Sequence, residues 1–120
     1  MKILICDDSM AMRRIVLRSL RQAGYDDHEI IEAENGKEGL EATQEKAPDL
    51  ILCDWNMPVM TGIEFLEALR ATGDTTPFGF ITTEQTMDFK KRAIGAGANF
   101  LLPKPFTPEQ MDQKVSGILK

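Results

Sequence analysis

Lys2-Ile3-Leu4-Ile5-Cys6-Asp7-Asp8-Ser9 is a short, nearly unbroken apolar run that stops on two acids and a hydroxyl. A run of this kind reads as a strand covered on both faces. Ser9 is suited to cap a helix, and Met12, Ile15, Val16 and Leu20 recur at helical spacing to about Ala23, where Gly24 ends it. The result is one βα unit, and the pattern recurs along the chain. Ile30, Ile31 and Ala33 form a weaker strand, after which Asn35 and Gly36 open a helix ending near Lys46, before Pro48. Leu50–Cys53 is the third strand, and a loop through Pro58 leads to a helix over about 62–72 with Ile63, Leu66 and Leu69 along one face. Residues 78–81 form the fourth strand, followed by a helix near 87–96 and by a fifth strand over 99–102. The last helix has Thr107 as N-cap, Pro108 at its first position and Gln110 three residues after the cap.

Strict alternation of strand and helix predicts an α/β fold, a doubly wound (βα)5 domain with a five-stranded parallel sheet, right-handed crossovers and helices on both faces. Ligands of such sheets lie beyond the carboxyl ends of the strands, where strand order reverses. In the order 2-1-3-4-5 that point falls between strands 1 and 3, so Asp7, Asp8 and Asp54 share a crevice. Two further strands end on Thr82-Thr83 and on Pro103-Lys104. Four strand ends thus bring acids, hydroxyls and a lysine to one sheet edge.

The 120 residues make one domain, 1–120, long enough to bury a core without disulfides. A net charge of −5 argues against nucleic-acid and anionic-membrane partners, which need clustered Lys and Arg. No apolar stretch is long enough to span a bilayer and the first residues lack a basic n-region, so a cytoplasmic protein is expected. Cys6 and Cys53 are the only cysteines and belong to no CxxC or Cys/His cluster, which argues against zinc. They read as reduced thiols used as small buried hydrophobes. If their strands are neighbours, the sulfurs come close enough for oxidation to disturb the acidic edge.

Three carboxylates in one pocket repel each other and call for a shared proton or a cation. Oxygen ligands select a hard cation, and Mg²⁺ suits one or two carboxylates completed by water and a phosphoryl oxygen. A carboxylate can also attack phosphorus to form an acyl phosphate. Asp54, alone at the end of the most apolar strand, is the candidate nucleophile, with Asp7 and Asp8 as the metal pair. Lys104 offers a fixed positive charge to phosphoryl oxygens and Thr82 a hydroxyl donor. Taken singly, an Asp at a strand end is commonly a cap or turn former and a lone lysine is commonly solvated. The coincidence of four compatible strand ends, and the placing of Lys104 between two prolines, favours the chemical reading.

These residues, with Asp54-Trp55-Asn56-Met57-Pro58, Gly62 and Lys104-Pro105-Phe106, resemble the receiver domains of bacterial two-component response regulators over essentially the whole chain. Met12-Arg13-Arg14-Ile15-Val16 adds a likeness to the single-domain chemotaxis members. The resemblance implies the flavodoxin-like strand order 2-1-3-4-5. It implies that Asp54 is the phosphorylation site, taking its phosphoryl group from a histidine kinase. Asp7, Asp8, Asp54 and the Asn56 carbonyl would hold Mg²⁺, with Thr82 and Lys104 on the phosphoryl oxygens and a cis Lys104–Pro105 peptide. Asn56 and Glu84 occupy the positions that tune dephosphorylation. Lys90, Lys91, Leu101, Pro103 and Lys114 are candidates for the switched partner face, which would meet a downstream target such as a flagellar motor switch component. A phosphatase is a further partner class, and the chain is expected to be a monomer.

The chain departs from the family at Leu101, where a switch aromatic is usual three residues before the lysine. Phe100 is expected on the opposite face of the strand. Thr83 replaces a typically smaller residue and is expected to narrow phosphoryl access, while Pro103, unable to donate to a ladder, fits an edge strand. The leading expectation is a phosphorylation-switched binding protein, not a classical enzyme. A receiver fragment of a larger regulator or phosphorelay would look the same. A Mg²⁺-dependent aspartyl-phosphate phosphohydrolase is the rival from another class, disfavoured because Asn56 stands where a second acid is wanted. A flavin-binding domain is disfavoured because three acids would repel a cofactor phosphate.

Overall fold

Every apolar run of the sequence becomes a strand of one parallel sheet. The computed structural model describes residues 1–84 and 86–119. The elements are β1 (Lys2–Cys6), α1 (Met10–Gln22), β2 (Glu29–Ala33), α2 (Gly36–Lys46), β3 (Leu50–Cys53), α3 (Gly62–Ala71), β4 (Phe78–Thr82), α4 (Met87–Gly95), β5 (Phe100–Pro103) and α5 (Pro108–Leu119). The strand order is β2-β1-β3-β4-β5, all pairs parallel.

The runs are continuous because both faces of the sheet are covered. On one face Leu4, Cys6, Ile51, Cys53, Phe78 and Phe80 pack with Phe65, Leu66 and Leu69 of α3 and Ala93 of α4. On the other, Ile3, Ile5, Leu50, Leu52 and Leu102 pack with Val16 and Leu20 of α1 and Met111 and Val115 of α5. Phe100 joins this second core and half-buried Leu101 packs against the first, so the two lie on opposite faces as expected. Gly79, paired with Phe100, lacks the Cβ that would run into the Phe100 ring, and the ring lies over the bare backbone.

The caps form where the sequence places them. Ser9 accepts the Met12 N–H at 3.2 Å, and Thr107 and Gln110 exchange two bonds at 3.1 and 2.9 Å. One inward position is corrected: Ile15 is 48 % exposed, and Arg13 takes its place with Val16 and Leu20 on the buried stripe of α1. The last strand runs one residue further than its apolar residues. Pro103 pairs with Thr82 on the sheet's edge, where its missing N–H leaves no ladder bond unmade, and the Lys104 N–H donates to the Thr82 carbonyl at 2.9 Å. Among the described residues no helix is long and apolar enough to cross a membrane.

Candidate functional site

Register brings the acids together. Cys6 pairs with Cys53, so Asp7 and Asp54 leave neighbouring strands at the same level, and the Asp54 N–H donates to the Cys6 carbonyl at 2.9 Å. Carboxylate oxygens of Asp7, Asp8 and Asp54 lie within 4.8 Å of one another. Asp7 is buried, Asp54 half-buried and Asp8 exposed, so the cluster opens to solvent on one side. Lys104 reaches in from beyond β5, its Nζ 3.3 Å from Asp54 Oδ1 and 3.6 Å from Asp7 Oδ2. The peptide between Lys104 and Pro105 is cis. An all-oxygen set of three clustered carboxylates suits a hard divalent cation such as Mg²⁺.

Two of the three carboxylates are held by local backbone. Asp7 Oδ1 accepts the Ser9 N–H and Asp54 Oδ1 accepts the Trp55 N–H, both at 2.9 Å. After Asp54 the loop closes on itself, with the Gly62 N–H donating to the Trp55 carbonyl at 2.8 Å. A Cβ at Gly62 would strike the Asp54 carbonyl oxygen and come within 2.9 Å of the Phe80 ring, so this close approach requires glycine. In the same loop Val59 is 78 % exposed with φ of 69°. A β-branched residue pays about 1–2 kcal/mol for that left-handed conformation. Val59→Asn is expected to raise stability by about 1 kcal/mol, since Asn tolerates this region. Denaturant midpoints check this, and an unchanged or lower midpoint would contradict it.

Burial is the largest influence on Asp7 and pushes its carboxyl above the ordinary value. The Ser9 N–H opposes this, Asp54 adds to it, Lys104 opposes it and Asp8 adds to it, in that order of size. Ionising Asp7 is therefore harder in the folded than in the unfolded chain. Its contribution to stability is full below the ordinary value of 3.8 and is lost as pH rises through the raised one. Asn at position 7 keeps the acceptor for Ser9 while removing the buried charge. Asp7→Asn is expected to raise the metal-free Tm at neutral pH by about 5 °C, the shift that about 1 kcal/mol gives a domain of this size. The same change should weaken Mg²⁺ binding. Calorimetry on metal-free protein from neutral pH downward should show the difference shrinking as Asp7 protonates; a lower Tm for the variant would count against this account.

The other expected site residues are placed unequally. Thr82 is buried, and its Oγ1 accepts the Glu84 N–H at 3.1 Å. It also lines a cavity of about 400 Å³ with Glu84, Lys90, Leu101, Pro103 and Lys114. Four of the five candidate partner-face residues therefore surround one cavity, while Lys91 is exposed elsewhere on α4. Asn56 and Glu84 are exposed near the acids and the hydroxyl, and Thr83 lies on an apolar groove with Met12, Ile15, Lys104, Pro105 and Phe106. Cys6 and Cys53 are free and buried, and burial first, then Cys6, pushes the Cys53 thiol well above its usual value. That disfavours the reactive thiolate.

The structure adds two local features that periodicity does not predict. Buried Arg13 donates to the Asp7 carbonyl at 2.7 Å and pairs with Glu32 at 3.0 Å, tying β2 and α1 to the acidic turn. Its signal was a place on the stripe of Val16 and Leu20, where an arginine is unusual without a partner. Thr61 caps α3 through a reciprocal box with Glu64, which the spacing Thr-x-x-Glu encodes.

Residues 3–116 match the family described as the response regulator receiver domain. A chemotaxis protein CheY homolog of Campylobacter jejuni is 37 % identical, the match covering 99 % of this chain and 92 % of that protein. Chemotaxis protein CheY1 of Helicobacter pylori is 38 % identical, covering 99 % and 97 %. Among solved structures, chemotaxis protein CheY4 of Vibrio cholerae superposes with a TM-score of 0.86 at 38 % identity, covering 98 % of each chain.

Proposed function

The chain belongs to the response regulator receiver family, and from that premise we propose that it is a phosphorylation-switched regulator of chemotaxis-type two-component signalling. The observation that carries this reading is the convergence of Asp7, Asp8, Asp54 and Lys104 at one sheet edge. Asp54 attacks the phosphorus of a phosphohistidine on a histidine kinase; the P–N bond breaks, the P–O bond to the carboxylate forms, and the imidazole leaves. Asp7, Asp8, Asp54 and the Asn56 carbonyl are the groups that would hold Mg²⁺. When bound, the ion supplies positive charge to the phosphoryl oxygens. Lys104, whose Nζ lies beside Asp54 and Asp7, stabilises the same oxygens, and Thr82 donates to one once its hydroxyl turns from the Glu84 amide. Asn56 and Glu84 border the phosphoryl group and set how readily water reaches it.

Phosphorylation adds about −1.5 to −2 charge and so redistributes local hydrogen bonds. Lys90, Leu101, Pro103 and Lys114 around the cavity beside Thr82 then form the switched face, with Lys91 at its margin. The partner is a downstream target protein of the motor-switch kind, and a phosphatase acting at the acidic edge completes the cycle. The chain works in this scheme as a cytoplasmic monomer spanning 1–120.

Trp55, the only tryptophan, adjoins the acceptor and reports on it. Its fluorescence is expected to change with Mg²⁺ and again with acetyl phosphate or beryllofluoride. No response to either phosphoryl reagent would reject the reading, and rapid multiple turnover of varied phosphate esters would favour a phosphohydrolase.

A further inference from the structure

Position 101 carries leucine, and β5 lines the cavity beside Thr82 with Phe100, Leu101 and Pro103. A cluster of rings forms around Phe80, the strand partner of Leu101. Trp55 lies 3.7 Å from Phe89 of α4 and 4.9 Å from Phe80, centroid to centroid, and Phe80 and Phe89 are 6.4 Å apart. Arg92, one turn beyond Phe89, holds its guanidinium 6.0 Å from the Trp55 ring centre. Phe89 and Ala93 face inward, whereas Lys90 and Ile94 of the same helix line the cavity. The backbone of Trp55 meanwhile donates to Asp54 Oδ1.

We infer that Phe89 is a positioning residue that couples α4 to the acceptor carboxylate, through its tilted ring contact with Trp55 and the Trp55 N–H on Asp54. This rests on the receiver reading and names how that site is regulated. The physical case is one of shared constraint. Trp55 cannot follow a change in the Asp54 carboxylate without moving its ring, and a ring packed this closely cannot move without displacing Phe89. Phe80 is two residues before Thr82, so the same rings also join the hydroxyl-bearing strand end to α4. Displacing α4 shifts Lys90 and Ile94 on the cavity wall. Because coupling is reciprocal, a partner that fixes α4 also fixes Trp55 and with it the carboxylate.

The test measures a difference, so a loss of packing common to both states cancels. Amide exchange over residues 87–95 is followed with and without Mg²⁺ and beryllofluoride, whose binding is read separately by fluorine NMR. In the unaltered protein α4 exchange is expected to change on binding. In Phe89→Leu the ligand should still bind, and the α4 response should fall by about fivefold or more, the lower end of ordinary coupling. Phe89→Tyr, which keeps the ring, should restore the response, and Leu101→Ala should leave it intact. If Phe89→Leu does not fold, Phe89→Met fills more of the ring's volume and serves the same purpose. An undiminished response without the ring, or one abolished by Leu101→Ala, would overturn the inference. Absence of a bound-fluoride signal in the unaltered protein would instead reject the receiver chemistry. The coupling is still read without any ligand by Asp54→Ala, which removes the acceptor of the Trp55 N–H. That change should alter α4 exchange when Phe89 is present and not in Phe89→Leu; equal effects in both would overturn the inference by itself.

Discussion

Asp54→Asn is expected to abolish the phosphodonor response of Trp55 while leaving the fold intact. Asparagine has the same shape and keeps an oxygen to accept the Trp55 N–H, which Asp54 Oδ1 accepts at 2.9 Å. It is no nucleophile toward phosphorus at neutral pH, so the loss should be complete. Removing one of three clustered negative charges also relieves repulsion, and the metal-free variant should be no less stable than its parent. Fluorescence titration with acetyl phosphate in the presence of Mg²⁺, alongside a thermal melt, separates the two effects. A persistent, acid-labile phosphoryl signal in the variant would place the acceptor elsewhere.

Lys104→Met carries the second large effect, because it splits two properties that a folding defect would lower together. The ammonium lies 3.3 Å from Asp54 and 3.6 Å from Asp7, and its side chain is 16 % exposed. Before the metal arrives it offsets the mutual repulsion of the carboxylates. In the proposed transfer it faces charge developing on the phosphoryl oxygens. Losing such a fixed, partly buried donor typically slows a reaction by about 10²–10³. Mg²⁺, by contrast, competes with the ammonium for the same oxygens, so its affinity should rise in the variant. Trp55 fluorescence gives both quantities, the first from the rate with acetyl phosphate and the second from a Mg²⁺ titration. An unchanged rate, or weaker Mg²⁺ binding, would show that Lys104 has another role.

Much of the site was legible because strand ends are local signals. The apolar runs of β1 and β3 each stop one residue before an acid, and pairing Cys6 with Cys53 then places those acids side by side. The alternation of strands and helices puts both runs in one parallel sheet, and the apolar stripe of α3 appears as read. What escaped depends on how elements lie across one another. Met12, Ile15, Val16 and Leu20 share helical spacing, yet α1 rolls so that Arg13 goes inward and Ile15 toward the groove beside Phe106. Periodicity alone cannot fix that roll when a buried cation finds the Asp7 carbonyl and Glu32 as partners. Phe89 meets Trp55 across 34 positions, and only the path of α4 over β4 brings them together. Thr82 was legible as a strand-end hydroxyl, but its bond to the Glu84 N–H depends on the turn that follows.

The proposed switch depends on Asp54 itself taking the phosphoryl group. The most direct measurement treats the intact chain with acetyl phosphate and Mg²⁺, traps any acyl phosphate with borohydride, and maps the reduced residue by peptide mass spectrometry. A single modified position is expected, homoserine in place of the acid at position 54. Reduction at Asp7 or Asp8, or no reduced residue in a chain that retains its fold and binds Mg²⁺, would contradict it.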